Sequence, residues 1–255
     1  MGDKTHNGEA TTHFGYRDVA VGEKKKLVGK VFSSVAEQYD LMNDLMSMGV
    51  HRLWKRHYVS SLGVRPGHHV LDLAGGTGDI AALLLKRVGA DGRVLIGDIN
   101  AEMLRVGRRR LIDRGLVRGV DYLQVDAQTL PFADDSFDIV TMAFGLRNVT
   151  DQAAALRSIF GTLKLGGKLS VLEFTQVDKD GLKQLYDLYS FKVLPALGKA
   201  IAKDEDSYRY LAESIRKHPD HATLKAMFED AGFEKTQVRL LSGGLVAIHS
   251  GYRLQ

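Results

Sequence analysis

The stretch LDLAGGTGD at Leu71–Asp79 is the strongest local signal in this chain, because a short apolar run breaks there into closely spaced glycines. The apolar run is typical of a buried strand, and the residues after it have the pattern of a helix. Glycines allow the backbone to turn tightly and to approach a ligand closely. Amide groups at the start of a helix can donate hydrogen bonds to an anion or a carboxylate. The stretch therefore predicts a strand, a ligand-binding loop and a helix in direct succession.

Strands and helices alternate on the C-terminal side of this loop. Predicted strands lie at 70–74, 93–98, 122–126, 137–142 and 168–173, and predicted helices at 78–88, 100–114, 151–164 and 220–231. Such alternation predicts an α/β fold, in which helices cover both faces of a mostly parallel sheet. Two last strands, 233–240 and 244–252, meet at Ser242-Gly-Gly244, which is typical of a hairpin turn.

The other segments complete a single predicted domain, residues 23–255. Residues 23–62 are predicted to form N-terminal helices, because apolar residues such as Val28, Val31 and Phe32 recur at helical spacing. Residues 176–216 interrupt the alternation with helix-like segments, which we interpret as an insertion that caps the substrate. Residues 1–22 are polar, and we expect them to form a flexible tail.

Acidic residues mark three successive predicted strands near their carboxyl ends. They are Asp72, Asp98 and Asp126. Ligands of open α/β sheets bind at that edge. Asp98 is placed to accept both hydroxyl groups of a ribose, and Asp126 lies where an adenine amino group would need an acceptor. The alternative is that such acids only cap the helices that follow.

Two classes of cofactor fit the glycine-rich loop. The residues Gly76–Ala81 also match the GxGxxA pattern of dinucleotide-binding proteins, so a nicotinamide oxidoreductase is an alternative. A carboxylate at Asp72 fits poorly beside a pyrophosphate but well beside a sulfonium or an α-amino group. The chain also lacks a Tyr-x-x-x-Lys motif for hydride chemistry. These features favour S-adenosylmethionine as the cofactor.

Four segments outside the loop make the chain similar to class I methyltransferases and, among them, to the ubiquinone/menaquinone biosynthesis C-methyltransferase family. The segments are FSSVAEQYDLMND (32–44), HRLWKR (51–56), FGLRNV (144–149) and SYRYLAESI (207–215). The resemblance covers nearly everything from Thr11 to Tyr252. It implies a Rossmann-like, mostly parallel sheet of seven strands with an antiparallel last strand, and S-adenosylmethionine as methyl donor without a metal.

The resemblance also implies which residues bind the cofactor. Contacts carry over to Thr77, Asp98, Asp126 and Ala127, and we add Asp72, Gly75, Gly76 and Gly78 from the loop itself. Bacterial relatives often have serine just before FGLRN, whereas this chain has Ala143. A backbone contact at Ala143 would survive that change, and a hydroxyl contact would not.

The substrates that the resemblance implies are polyprenyl quinols, either demethylmenaquinol or a polyprenyl methoxy-benzoquinol. A quinol ring carbon becomes nucleophilic when its hydroxyl loses a proton, so the protein must stabilise an oxyanion. Arg147 and Asn148 follow the fourth strand, and we expect them to do this; a salt bridge that closes the loop is the alternative for Arg147. We expect Tyr39 to hydrogen-bond a quinol oxygen, with helix packing as the alternative. Asp40 and His51 are weaker candidates for proton relay.

The substrate tail requires an apolar groove. The N-terminal helices and the 176–216 insertion can supply it, with candidate lining residues Phe191, Val193, Leu194 and Leu197. For most of these residues, packing in the core is the ordinary alternative.

Composition narrows the cellular context. The absence of cysteine excludes disulfides, zinc–thiolate sites and a cysteine nucleophile. No apolar run approaches the ~18 residues that crossing a bilayer requires, and the N-terminus lacks the apolar core of a signal peptide. We therefore expect a cytoplasmic protein. A run of lysines on the first helix (Lys24, Lys25, Lys26, Lys30) raises the hypothesis of peripheral contact with the inner face of the membrane, with a solvated helix face as the alternative.

The net charge of +4 is weak for a nucleic-acid enzyme, so RNA methylation is disfavoured and no nucleic-acid partner is expected. The resemblance is compatible with a homo-oligomer or with association with other quinone-biosynthesis enzymes. A catalytically silent scaffold is a further alternative, against which the intact glycine-rich loop and FGLRN segment argue.

Overall fold

The N-terminal residues form a small antiparallel sheet of strands β1 (Thr5–His6), β2 (Glu9–Phe14) and β3 (Arg17–Ala20). The computed structural model describes residues 5–6, 9–47, 49–176 and 205–255. Within the range for which the sequence predicts a flexible tail, residues 11–20 pair in the β2–β3 hairpin. Phe14 and Val19 bury their side chains, and the Phe14 ring stacks on Tyr210 with 4.2 Å between centroids. Because these packing partners lie far along the chain, the local pattern does not reveal them.

Three helices follow and cover the segment predicted as N-terminal helices. They are α1 (Val21–Val35), α2 (Tyr39–Ser47) and α3 (His51–Ser61). Val28 and Val35 on α1, and Trp54, Tyr58 and Val59 on α3, are buried. The apolar spacing that predicts these helices is therefore the spacing of their packed faces.

The central sheet has seven strands, β4 (His69–Leu73), β5 (Arg93–Asp98), β6 (Val120–Gln124), β7 (Phe137–Ala143), β8 (Leu163–Phe174), β9 (Glu234–Leu241) and β10 (Val246–Tyr252). Their order is β6-β5-β4-β7-β8-β10-β9. The first five strands run parallel, and β10 pairs antiparallel with both β8 and β9. The prediction of a mostly parallel sheet with an antiparallel last strand is thus confirmed.

Helices α4 (Asp79–Val88), α5 (Ala101–Asp113), α6 (Gln152–Thr162), α7 (Glu205–Lys217) and α8 (His221–Asp230) flank the sheet. Alternate residues of β4 point to opposite faces: Val70 packs in the core that contains α1, α3, α4, α5 and α7, and Leu71 in the core with α6 and α8. A parallel sheet buried on both faces explains why its strands are continuous apolar runs rather than alternating ones.

The predicted insertion at 176–216 is only partly covered by the structure. Residues 205–216 belong to α7, whereas 177–204 lie outside the described residues. The candidate tail-binding residues Phe191, Val193, Leu194 and Leu197 fall in that range. Within the described part of the chain, no helix is both long and apolar enough to cross a membrane.

Candidate active site

The glycine-rich loop connects β4 to α4 and requires glycine for two different reasons. Gly76 and Gly78 have φ angles of 46° and 78°, in the left-handed region that other residues rarely adopt. Gly75 lies outside that region but has no room: a Cβ atom there would be 2.8 Å from both the Ile96 side chain and the Asp72 carbonyl oxygen. The glycines are therefore required by the backbone angles at Gly76 and Gly78 and by the close packing around Gly75.

Asp98 ends β5 and fixes the loop from the side. Its carboxylate accepts hydrogen bonds from the backbone amides of Gly76 at 2.9 Å and Asn100 at 2.8 Å. Burial raises the pKa of Asp98 to about 6, although the amide hydrogen bonds favour the ionised form. Asp98 thus lies within the loop–strand corner where the sequence places a ribose-binding acid.

Asp72 on β4 is almost completely enclosed, with 1% of its surface exposed. The Thr141 hydroxyl donates to Oδ1 at 2.8 Å, whereas Oδ2 has no hydrogen-bond partner. Burial raises the pKa of Asp72 to about 7, against the opposing effects of the Thr141 hydrogen bond, the nearby Ala81 backbone amide and the charge of Lys55. A buried carboxylate oxygen without a partner is costly, and a cationic ligand group would relieve that cost.

Asp126 lies just past β6 and faces the first helix. It accepts hydrogen bonds from the Gln128 amide at 3.0 Å and from the Lys25 ammonium group at 3.1 Å. Although partial burial works against it, these hydrogen bonds hold the pKa of Asp126 below its ordinary value. Asp126 therefore stays ionised at neutral pH and remains an acceptor.

A cleft of about 850 Å³, part of it open to solvent, runs beside α1 along the carboxyl ends of the strands. Asp98, Asp126 and Ala127 line it. Much of its remaining wall is apolar and includes Val28, Phe32, Leu73, Met103, Met142 and Phe144.

Asn100 attaches α1 to this edge of the sheet. Its side-chain oxygen caps α5 by accepting from the Glu102 and Met103 amides. Its side-chain nitrogen donates to the Gly29 carbonyl at 3.1 Å and to the Ser33 hydroxyl at 3.0 Å. One amide side chain thus positions both the helix after β5 and the helix that borders the cleft.

A second, smaller cavity lies on the other side of the glycine-rich loop. Its polar lining includes Lys55, Asp72, Thr77 and Asp79, and Ala143 also lines it. Ala74 and Phe144 line both this cavity and the cleft, so the two spaces adjoin. The predicted cofactor residues are therefore distributed along two adjoining cavities, except for Gly78, which lines neither.

Arg147 lies in a 3₁₀ turn after β7 and is 4% exposed. Its Nη1 donates to Glu173 Oε1 at 2.7 Å and to the Phe144 carbonyl at 2.6 Å. The Arg147 backbone amide donates to the other Glu173 oxygen at 3.3 Å. Arg147 is not among the residues that line the cleft. The geometry thus corresponds to the loop-closing salt bridge that the sequence leaves open as an alternative.

Asn148 does line the cleft, and it is only partly buried. Its side-chain oxygen accepts a hydrogen bond from the Tyr210 hydroxyl at 3.0 Å. Burial raises the pKa of Tyr210, so this hydroxyl remains a donor. Tyr39, the third candidate, begins α2, but its side chain lies outside the described part of the structure.

Sequence reasoning misses three buried residues that act in or behind the site: Lys55, Glu173 and Tyr210. Lys55 and Tyr210 lie inside the HRLWKR and SYRYLAESI segments that carry the resemblance, which is the only sequence signal that points to them. Glu173 ends the fifth predicted strand, where an acid could have been grouped with Asp72, Asp98 and Asp126.

The predicted basic face of α1 requires a correction. Lys24 is 1% exposed, and its ammonium group is 3.5 Å from the Val149 carbonyl oxygen. Burial lowers its pKa to about 8. Lys25, Lys26 and Lys30 are exposed, but Lys25 pairs with Asp126. Lys24 therefore belongs to the interior, because its position in the helix turns it toward the sheet.

The strand order, the antiparallel β10 and the glycine-rich loop after β4 define a class I S-adenosylmethionine-dependent methyltransferase. A SAM-dependent methyltransferase from Aquifex aeolicus has the same fold (TM-score 0.61, 18% identity, covering 87% of this chain and 98% of that one). A SAM-dependent methyltransferase from Thermotoga maritima matches similarly (TM-score 0.61, 21% identity, 88% and 99% covered).

The chain belongs to the ubiE/COQ5 methyltransferase family, whose family model matches residues 19–253. It is 64% identical over 244 residues to the ubiquinone/menaquinone biosynthesis C-methyltransferase UbiE of Stenotrophomonas maltophilia strain K279a, which covers 96% of both chains. The protein of the same name from Xanthomonas oryzae is 62% identical over the same share. Membership in this family makes S-adenosylmethionine the cofactor and excludes the dinucleotide alternative.

Proposed function

We propose that this protein transfers a methyl group from S-adenosylmethionine to a ring carbon of a polyprenyl quinol, either demethylmenaquinol or a polyprenyl methoxy-benzoquinol. The names of the relatives support a substrate from quinone biosynthesis. The observation that carries the proposal is the cleft, where Asp98 and Asp126 lie beside an apolar wall and the amide side chain of Asn148. An apolar cavity with a few polar groups suits a substituted ring that carries a lipid tail.

The acidic residues at the strand ends fit the methyl donor. We propose that Asp98 binds the ribose hydroxyls, that Asp126 accepts from the adenine amino group and that Asp72 attracts a positive charge; their positions along the two cavities support this. When bound, S-adenosylmethionine supplies an electrophilic methyl group. The protein's main contribution is to hold the quinol in line with it and to exclude water, which accounts for a large part of such accelerations.

Asn148 is the residue proposed to contact the quinol oxygen. The Tyr210 hydroxyl occupies its side-chain oxygen, which turns the amide NH₂ into the available donor. A donor fixed toward the oxygen stabilises the negative charge that develops as the quinol loses its proton. Tyr39 is proposed as a second hydrogen-bonding group at the same substrate.

Arg147 is proposed to act as a positioning residue. Its guanidinium group holds the Phe144 carbonyl and Glu173 together, so that it fixes the turn on which Asn148 lies. Both bonds start from Nη1, the terminal nitrogen of the long arginine side chain. Arg147 would thus support the oxyanion contact through the loop rather than by touching the ring.

Incubation with labelled methyl donor and reduced demethylmenaquinone, followed by lipid extraction, tests the proposal. Label is expected in the extracted quinol. The oxidised quinone should not be labelled, because it has no hydroxyl proton to lose and its ring is electron-poor. Folded protein that binds S-adenosylhomocysteine but labels neither quinol class would overturn the proposal and leave the family assignment intact.

Peripheral contact with an anionic membrane surface, on the inner face of a membrane, is part of the proposal because the substrate tail partitions into lipid. Lys26 and Lys30 are the exposed lysines of α1 that do not pair with Asp126. Association with a second copy or with other quinone-biosynthesis enzymes stays a prediction, which sedimentation analysis can test.

A further inference from the structure

Lys55 lies beside the start of α4 in an electrostatic setting that needs an explanation. Its side chain is 9% exposed, and its ammonium nitrogen is 2.8 Å from Asp79 Oδ2. Asp79 is the first residue of α4. The amino end of a helix carries partial positive charge and favours anions. The Asp79 carboxylate is therefore favoured both by the helix end and by Lys55, and the three donors of the ammonium group allow it to bind a second anion as well.

A carboxylate lines the same small cavity, close enough to Lys55 that the lysine charge favours its ionised form. It belongs to Asp72, whose unpartnered Oδ2 is enclosed beside Gly75, 3.0 Å from where a Cβ atom on that glycine would be. The cavity thus presents a cation and an unsatisfied carboxylate at separate points on its wall. A ligand that carries a carboxylate and an ammonium group a few bonds apart would match both.

We infer that Lys55 binds the carboxylate of the amino-acid portion of S-adenosylmethionine, while Asp72 faces its ammonium group directly or through one water. This rests on the methyl donor of the proposed function and adds a residue outside both the glycine-rich loop and the strand ends. An ammonium group has three donors, so Lys55 keeps its bond to Asp79 while it binds the ligand. Thr77, buried at the start of α4, lines the same cavity.

The competing explanation is that the Lys55–Asp79 pair only braces α3 against α4. The two explanations differ in which partner matters for ligand binding. A brace is lost equally when either residue is changed. If Lys55 binds the ligand carboxylate, only substitution of Lys55 weakens ligand binding. Removal of the Asp79 charge then removes a group that competes with the ligand carboxylate for the Lys55 ammonium group.

Calorimetric titration of wild type, Lys55→Met and Asp79→Asn with three ligands separates these explanations. S-adenosylhomocysteine has the whole amino-acid portion, its decarboxylated analogue lacks only the carboxylate, and methylthioadenosine lacks the portion entirely. Lys55→Met should weaken S-adenosylhomocysteine binding at least tenfold, about 1.4 kcal/mol, and change binding of the other two less than about threefold. Asp79→Asn should retain or improve S-adenosylhomocysteine binding.

Equal losses for all three ligands in Lys55→Met, or a loss in Asp79→Asn as large as in Lys55→Met, would overturn the inference. Thermal unfolding of each variant identifies a loss that comes from misfolding. If Lys55→Met does not fold, Lys55→Gln keeps a donor toward Asp79 without the charge and should show the same selective loss. If the wild-type protein bound no S-adenosylhomocysteine, the assignment of S-adenosylmethionine as methyl donor would be overturned. Absence of quinol methylation alone would contradict the proposed function but not the role inferred for Lys55.

Discussion

The Thr141 hydroxyl donates a hydrogen bond of 2.8 Å to Oδ1 of Asp72, its partner in register on the neighbouring strand. Both residues are buried within the parallel sheet. This bond satisfies one carboxylate oxygen and leaves Oδ2, which is enclosed, without a partner, in a residue that lines the small cavity. The fold therefore provides a hydrogen-bond partner for only one of the two carboxylate oxygens of Asp72. The protonation state of Asp72 depends on which group occupies the cavity.

Binding of S-adenosylhomocysteine should weaken as the pH falls below about 7. Burial raises the pKa of Asp72 to about 7, so in the free protein its carboxyl group becomes neutral as the pH falls below that value. Only the ionised form attracts an ammonium group. The contribution of Asp72 to ligand binding is therefore present above this pKa and is lost as the pH falls through it. Titration calorimetry between about pH 7.5 and pH 5.5, where the ligand amine stays charged, measures the change.

Methylthioadenosine is the control, because it lacks the amino group that Asp72 would attract. The pH dependence of its binding reports only groups with a lower pKa, such as Asp98, whose raised pKa is about 6. Thr141→Val removes a hydrogen bond to the ionised Asp72, so it should move the midpoint for S-adenosylhomocysteine to higher pH. Parallel pH profiles for the two ligands would rule out a role for Asp72.

Asp98→Ala should weaken S-adenosylhomocysteine and methylthioadenosine to the same extent, since both carry the ribose. The expected loss is about 1.5–3 kcal/mol, the range for hydrogen bonds to a charged group. Asp98 also holds the Gly76 and Asn100 amides, so part of the loss comes from a looser loop. Asp113→Asn, exposed at the end of α5, is the matched control. Unchanged affinity in calorimetry would refute the ribose contact.

Asn148→Asp should lower kcat for the quinol by about 10²–10³, the loss typical of removing one oxyanion donor. The variant keeps the shape of Asn148 but places an acceptor and a negative charge where the donor is needed. Affinity for S-adenosylhomocysteine should stay within about threefold, less than ~1 kcal/mol. Tyr210→Phe, which keeps the ring that stacks on Phe14, should cost only ~2–10-fold, because one neutral hydrogen bond is lost. Wild-type turnover by Asn148→Asp would exclude the contact.

Glu173→Gln should destabilise the fold by about 3 kcal/mol, because it leaves the buried charge of Arg147 without its partner. The matched control is Glu102→Gln, which breaks an exposed pair with Arg105 and should cost less than ~1 kcal/mol. Urea unfolding of the three proteins measures the difference. Equal effects of the two substitutions would mean that Arg147 does not depend on Glu173.

Arg147→Lys should lower kcat at least tenfold at temperatures where the variant remains folded, with quinol KM and cofactor affinity within about threefold. Lysine keeps the charge, but its nitrogen lies one bond closer to the backbone than Nη1 of Arg147, the atom that donates to both Phe144 and Glu173. Steady-state kinetics with reduced demethylmenaquinone gives the kcat and KM values separately. A lysine variant with full turnover, or one whose whole defect is unfolding, would contradict a positioning role.

Lys26→Glu combined with Lys30→Glu should weaken co-sedimentation with anionic vesicles, and raised salt should weaken it in wild type. Both lysines are exposed on α1. The matched control reverses two exposed cations elsewhere, Lys86 and Arg118, and should bind as wild type does. Absence of binding at low salt would disprove the surface contact.

Local pattern determined most of the architecture. The strand predicted at 93–98 has the same bounds in the structure, and the glycines of Leu71–Asp79 take the conformations that their lack of a Cβ atom allows. Periodicity and glycine content are properties of neighbouring residues, so they can be read without knowledge of the rest of the chain. Even the convergence of Asp72, Asp98 and Asp126 follows from the sequence, since parallel strands that alternate with helices end at one edge.

Tertiary structure alone decided the environment of each polar side chain. Lys24 and Lys25 are adjacent in a lysine run, yet one is buried and the other pairs with Asp126 at the cleft. Arg147, in the turn after β7, pairs with Glu173 on β8, and Lys55 on α3 pairs with Asp79 on α4. Burial and pairing depend on which elements the packed core brings together across long stretches of chain. The sequence by itself therefore determined the sheet, the loop and the family, whereas only the packing of distant elements decided which charges are enclosed and what each one faces.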